Sequence, residues 1–220
     1  MNNLEILYED NHVIVVFKPI NILSQSDITG DIDMLSLIKK YLKEKYHKPG
    51  NVYLGLVHRL DRVTSGVMVF AKTSKAASRL SESIRKKEFK KDYLAIIHGR
   101  VSNGQYEDYL LKKDDFSTVV FKEGKLAILN FNLLEYNKDK DISLVNVHLE
   151  TGRHHQIRVQ FASRNHPLLG DKRYGNDSYD TLGLCAYHLE FIHPVTKELM
   201  SFTRYPKGNI WNFKWLKENL

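Results

Sequence analysis

Two apolar runs bracket one charged loop, and no other feature constrains this chain as much. Residues 52–57 lead into His58-Arg59-Leu60-Asp61-Arg62-Val63-Thr64-Ser65-Gly66, and Val67-Met68-Val69-Phe70 follow. Short apolar runs around a polar stretch read as two strands and their connection, and loops held by rigid strands are where site residues concentrate. Asp61 lies between Arg59 and Arg62, whose charges favour the ionised carboxylate, so Asp61 is expected to be charged at neutral pH. An ionised carboxylate is a candidate nucleophile or general base. The same residues also suit a solvated connection, because surface Asp–Arg pairs are common and weak. Gly66 fits a tight return into the second strand.

Elsewhere the chain reads as many strands and few helices. Residues 4–8 and 13–17 form a predicted hairpin across Glu9-Asp10-Asn11-His12, closed by Lys18-Pro19. Asn21 tolerates a left-handed backbone in the turn that follows. Asp33 is an expected N-cap for a helix over 34–46, with Leu35, Ile38 and Leu42 on one face and Pro49-Gly50 beyond its end. Ser74 is the expected cap of a second helix over 75–88, with Ala77, Leu80 and Ile84 inward. Strands are predicted at 93–97, 105–111, 117–121, 125–134 and 143–149. In the last of these, Val145, Val147 and Leu149 alternate with Asn146 and His148. A short helix over 154–164 stops ahead of Pro167. Strands near 182–185, 188–192 and 199–203 precede an aromatic tail holding Trp211 and Trp215. Strands and helices without strict alternation predict an α+β fold, a mixed, mostly antiparallel central sheet with a few flanking helices. No linker divides the chain, so one domain over residues 1–220 is expected.

The chain has 220 residues, 42% of them hydrophobic, enough to bury a substantial core. No apolar run approaches membrane-spanning length, and MNNLEILYED has no basic segment followed by an apolar one, which argues against a signal peptide. The single cysteine, Cys185, excludes an intramolecular disulfide and a multi-cysteine zinc site. A monomeric, cytoplasmic protein with no membrane partner is expected. A formal net charge of +7 favours a polyanionic partner without separating RNA from DNA.

Three clusters carry chemical content. Arg153, His154, His155, Gln156 and Arg158 crowd a predicted helix start, where unpaired N–H groups favour anions. A phosphate or carboxylate site and a solvated helix end fit these residues equally. His154 and Arg158, four apart, are expected to share a face. No metal is expected, because adjacent helical side chains diverge by about 100° and would not share one ion. Arg85, Lys86, Lys87, Lys90 and Lys91 follow the second helix, where cations suit the helix C-terminus and their density also suits phosphate. Tyr93, just beyond, fits a core tyrosine with its hydroxyl at the surface.

HRLDRVTSG resembles the catalytic loop of the RluA-type pseudouridine synthases, which isomerise uridine within RNA. TGRHHQIR resembles that family's second signature, with His154 where Thr or Ser is frequent, and HPLLGDKRYG resembles its continuation. Lys90-Lys91-Asp92-Tyr93-Leu94-Ala95 resembles the third signature. Leu182-Gly183-Leu184-Cys185-Ala186 resembles the apolar strand beside the uracil pocket, with Cys185 where His is frequent. The resemblance covers nearly the whole chain. It implies catalytic roles for Asp61 as the carboxylate, Tyr93 as the residue packed on the target base, and Arg158 as the arginine that reaches the carboxylate. It implies substrate-binding roles for Arg59, Thr64, Arg153, Lys18 and Leu184. Of these, Arg59 would fill the space left by a flipped base, Arg153 and Lys18 would hold RNA backbone, and Leu184 would line the pocket. The partner would be ribosomal or transfer RNA. No cofactor is implied, because the reaction involves neither redox change nor hydrolysis. Larger members carry an S4-type RNA-binding module at the N-terminus. The first catalytic strand is predicted here from residue 4, so that module is expected to be absent.

Two other classes fit part of the same residue pattern. A non-catalytic RNA-binding or ribosome-assembly protein on the same scaffold accounts for charge and stacking but not for Asp61, Tyr93 and Arg158 occurring together. A carboxylate-dependent glycoside or nucleoside hydrolase needs a second acid near the first, for which Glu150 is the candidate. A kinase reading of HRLD lacks a preceding Gly-rich phosphate loop.

Overall fold

The computed structural model describes residues 4–220; residues 1–3, part of the stretch read for a signal peptide, lie outside the described residues. The architecture is α+β, a mostly antiparallel sheet with few helices. The chain divides into two compact units, one holding the residues up to Lys90 with His188–Arg204, the other Lys91–Tyr187 with Tyr205–Leu220.

In the first unit, β1 (Glu5–Glu9) and β2 (Val13–Lys18) form the predicted hairpin. Asp10 builds its turn, its carboxylate accepting the N–H groups of His12 and Val13 at 2.7 Å each. Such local bonds are why Asp favours turns. Asn21 takes the expected left-handed backbone, with φ 63°. α1 (Met34–Lys45) starts where the Asp33 carboxylate accepts the Ser36 N–H at 3.0 Å, and it buries Met34, Ile38 and Leu42. Leu35 is only half-buried. β3 is short, Gly55–Leu56. Val52 and Leu54 are buried outside any strand, so the apolar run there reports burial rather than ladder pairing. β4 (Ser65–Ala71) is buried along its whole length and pairs antiparallel with β2, from Lys18↔Gly66 to Val13↔Ala71. α2 (Ser74–Arg85) is capped by Thr73, not Ser74: the Thr73 hydroxyl accepts the Ala76 N–H at 3.1 Å. It ends at Arg85 rather than at 88, and Lys87 beyond it is left-handed, with φ 58°.

The second unit is built on β5 (Lys90–His98), β6 (Gly104–Lys113), β7 (Phe116–Val120), β8 (Lys125–Asn137) and β9 (Ile142–Leu149). Their order is β5-β9-β8-β6-β7, with antiparallel neighbours. α3 (Gln156–Ala162) starts later than predicted, because His155 adopts a left-handed backbone, φ 54°, that a helix cannot contain. β10 (Leu184–Ile192) fuses two predicted runs; Leu184–Tyr187 belong to the second unit and the rest to the first. β11 (Leu199–Thr203) pairs with it antiparallel, from His188↔Thr203 to Ile192↔Leu199. The aromatic tail forms a 3-10 turn at Asn209–Trp211 and α4 (Lys214–Asn219). In the first unit, Val13, Val15, Val67, Val69 and Leu80 share a core with Leu189 and Phe191, which arrive from β10.

Candidate active site

The loop between β3 and β4 is pinned from several directions within the first unit. His58 is buried, and its Nε2 accepts the Val69 N–H of β4 at 3.1 Å. An acceptor nitrogen carries no proton, so this bond fixes the neutral tautomer with hydrogen on Nδ1. Leu60 exchanges two bonds with Ser24, donating its N–H to Oγ at 3.1 Å and accepting the hydroxyl at 2.8 Å. The Thr64 N–H donates to the Asp61 carbonyl at 3.0 Å, and the Asn21 N–H donates to the Arg62 carbonyl at 2.8 Å. The Arg62 guanidinium meets Asp31 at 2.6 Å on the surface. Asp61 is half-buried and Arg59 exposed. Thr64 is buried, and its hydroxyl meets no hydrogen-bond partner among the described residues.

Lys18 was expected at the RNA backbone, but it is fully buried. Its ammonium donates to the carbonyls of Pro19 at 3.0 Å, Ile22 at 2.7 Å and Arg62 at 3.1 Å. Three donors thus meet three acceptors, one of them on the residue after Asp61. Burial pushes the Lys18 pKa down to about 7, while the charge of Asp61 works in the opposite direction.

In the second unit, Tyr93 is buried on β5 opposite Val147, and Leu184 and Cys185 are buried at the start of β10. Burial lowers the pKa of Lys91, two residues before Tyr93. Arg158 is buried on α3 and makes a two-pronged bond to Asp171, Nε to Oδ2 at 2.8 Å and Nη2 to Oδ1 at 2.7 Å. Asp171 Oδ1 also accepts the N–H groups of Arg173 and Tyr174, at 3.0 and 3.1 Å. Burial raises the pKa of the Asp171 carboxyl, but the bonds from Arg158 and the two amides outweigh it and leave the pKa below the usual range. The Tyr174 ring lies 5.3 Å from the Arg158 guanidinium. Its hydroxyl accepts the Ser117 N–H at 2.8 Å and lies 2.9 Å from His155 Nδ1. Burial first, then the charges of Arg158, His154 and Arg173, bring the His155 pKa down to about 3. An imidazole with that pKa is neutral at physiological pH.

His154 precedes α3, so it does not share a helical face with Arg158 as expected. It stacks on His155, ring centroids 3.7 Å apart, and its Nδ1 lies 3.0 Å from the Ser117 hydroxyl. Arg153 is exposed, with Nε donating to the Leu126 carbonyl at 2.8 Å. Among the described residues no group of three or more His, Cys, Asp or Glu is arranged to hold a metal, and no helix is long and apolar enough to cross a membrane. His155 belongs to the predicted anion cluster. Asp171 and Tyr174 lie in HPLLGDKRYG, a string that resembles the family as a whole, and nothing local in it marks either residue.

Residues 12–163 match the RNA pseudouridylate synthase family. The chain is 36% identical over 204 residues to an RNA pseudouridine synthase of Bacillus subtilis, YhcT, an alignment covering 90% of this chain and 67% of that protein. It is 33% identical over 219 residues to the ribosomal large subunit pseudouridine synthase D of Vibrio vulnificus, covering 90% and 66%. The solved structure of human RNA Pseudouridylate Synthase Domain Containing 4 superposes with a TM-score of 0.78 at 22% identity, over 92% of this chain and 88% of that one. The fold is therefore that of the pseudouridylate synthases. The chain belongs to the RNA pseudouridylate synthase family, and its activity is that of an RNA pseudouridine synthase.

Proposed function

We propose that this enzyme converts particular uridines of structured RNA to pseudouridine with Asp61 as the catalytic carboxylate, acting on a nucleotide turned out of its stack. The reaction breaks the bond from ribose C1′ to base N1 and joins C1′ to C5. The C5 hydrogen leaves as a proton and N1 gains one, so substrate and product are isomers. Those atoms are shielded in a stacked strand, and extrusion costs a few kcal/mol, least in loops. The observation that carries the reading is the pinned loop around Asp61, which lies inside the span matched by the family. A carboxylate held on a fixed backbone suits preorganised chemistry. Arg158 is its ionic partner, as the second signature implies. Tyr93 packs on the target base, where stacking contributes about 1–3 kcal/mol. Arg59 occupies the space the base leaves, Thr64 and Leu184 contribute to the pocket, and Arg153 holds backbone with the basic run at 85–91. Lys18 serves the same site from behind, by holding the loop. Ribosomal RNA is the first substrate to test, because the Vibrio vulnificus relative is named for the large ribosomal subunit.

Asp61→Asn removes the charge and keeps the shape. The expected result is a folded protein that binds RNA and releases no tritium from RNA labelled at uridine C5. Turnover like the wild type would remove Asp61 from the mechanism.

A further inference from the structure

The structure assigns a positioning role to Asp171: it fixes the direction in which Arg158 presents the remainder of its guanidinium. This rests on the role proposed above for Arg158, which is otherwise silent about what aims that side chain. A guanidinium is a planar fork of five N–H donors. Asp171 takes the Nε side and one Nη2 hydrogen, at 2.8 and 2.7 Å. A bond through that edge leaves one orientation for the fork, with Nη1 turned away from Asp171. The ring of Tyr174, 5.3 Å from the guanidinium carbon, covers a face of the same group.

Asp171 is itself held in place. Its Oδ1 accepts the Arg173 and Tyr174 amides, and its own carbonyl accepts the Gly175 N–H at 2.9 Å. The carboxylate is 1% exposed, so no solvent ion competes for its oxygens. Both partners are deeply buried, and an arginine enclosed with one matched carboxylate has little freedom to turn. His155, bonded to the Tyr174 hydroxyl, adds no positive charge beside it at physiological pH. An arginine anchored this way meets a second carboxylate without first losing rotamer freedom, which is how preorganisation lowers the cost of a charged contact.

The test is a double-mutant cycle with Asp171→Asn and Arg158→Lys, read by single-turnover tritium release with enzyme in excess over RNA labelled at uridine C5 and by filter retention of the same RNA. Lysine keeps the charge of Arg158 but cannot make the two-pronged bond. The expected result is that Asp171→Asn folds, retains RNA as the wild type does, and slows the chemical step about a hundredfold, the scale of a misplacement near 1 Å. The double variant should then be no slower than the slower single variant. Wild-type turnover by Asp171→Asn beside a slow Arg158→Lys, or losses that multiply in the double variant, would overturn the role of Asp171 while leaving that of Arg158 intact. Wild-type turnover by Arg158→Lys would instead remove Arg158 from the mechanism, and Asp171 with it. If Asp171→Asn does not fold, Asp171→Glu keeps the charge and shifts it by one methylene. A slow, folded, RNA-binding Glu variant supports the assignment, and a fast one overturns it.

Discussion

At the scale of single residues, Lys18 shows what a sequence hides. A lysine beside a charged loop reads as a phosphate contact, because lysine is seldom fully buried. The structure encloses it and gives its three donors three carbonyls. Lys18→Met leaves those carbonyls without their donor, at a cost of about 1–3 kcal/mol each where they stay dry. The wild type should therefore unfold at higher urea concentration than the variant. The difference should also depend on pH. The folded pKa is lowered to about 7 from an ordinary 10.5, so between those values the unfolded chain binds more protons than the folded one. Stability then rises with pH through that window, and the gap between wild type and variant should widen from pH 7 to pH 9. An unchanged gap would contradict the depressed pKa. Asp61 stands out in the sequence, because two arginines and a signature string surround it. Asp171 does not, since an acid inside Gly-Asp-Lys-Arg reads as surface until its partner on α3 is known.

At the scale of elements, local chemistry was legible and pairing was not. Asp33 marks the start of α1 because its carboxylate accepts the Ser36 N–H, a bond an N-cap Asp is suited to make. Thr73 and Ser74 are equally able caps, so the start of α2 was misread by one residue. The shortening of the run at 52–57 to Gly55–Leu56 and the fusion that makes β10 depend on partners far away in sequence. Glu9, at the end of β1, ties that edge strand to α1. Its carboxylate, with a side chain 6% exposed, accepts Tyr41, Tyr46, Lys45 and Lys72 at 2.9, 2.7, 2.7 and 2.6 Å. Burial alone raises its pKa, but the bonds from Lys45, Lys72, Tyr46 and Tyr41 prevail and bring it down to about 2 from an ordinary 4.5. A depressed carboxylate contributes stability that is complete above 4.5 and lost as pH falls toward 2. Glu9→Gln should therefore flatten the acid limb of the stability curve over that interval; limbs of equal steepness would argue against the hub. Gly170 offers a second check. It is left-handed, with φ 73°, and a Cβ there would overlap the Thr181 carbonyl oxygen. Gly170→Ala should cost at least about 1–3 kcal/mol in urea unfolding, since it adds backbone strain to a steric clash.

For the whole molecule, the charge of +7 sets how binding responds to salt. Each phosphate neutralised on single-stranded RNA contributes about 0.7 to the log–log slope of affinity against salt concentration. If Lys86 and Lys87 hold backbone, Lys86→Gln with Lys87→Gln should lower that slope by about 1.4 and leave the single-turnover rate unchanged. An unaltered slope would show that these side chains serve the end of α2 alone. The class of fold was readable from strands that do not alternate strictly with helices. The threading was not, because nothing local shows that the chain leaves the first unit at Lys90 and returns at His188. That threading has a consequence for synthesis. The core around Val13 and Val67 is completed by Leu189, Phe191, Met200 and Phe202, which the ribosome makes long after the strands they cover. At about 5–20 residues per second, the early strands wait on the order of ten seconds for their partners. A stop codon near residue 187 would thus be as ruinous as one far earlier, because the nascent chain would emerge with the core of its first unit still uncovered.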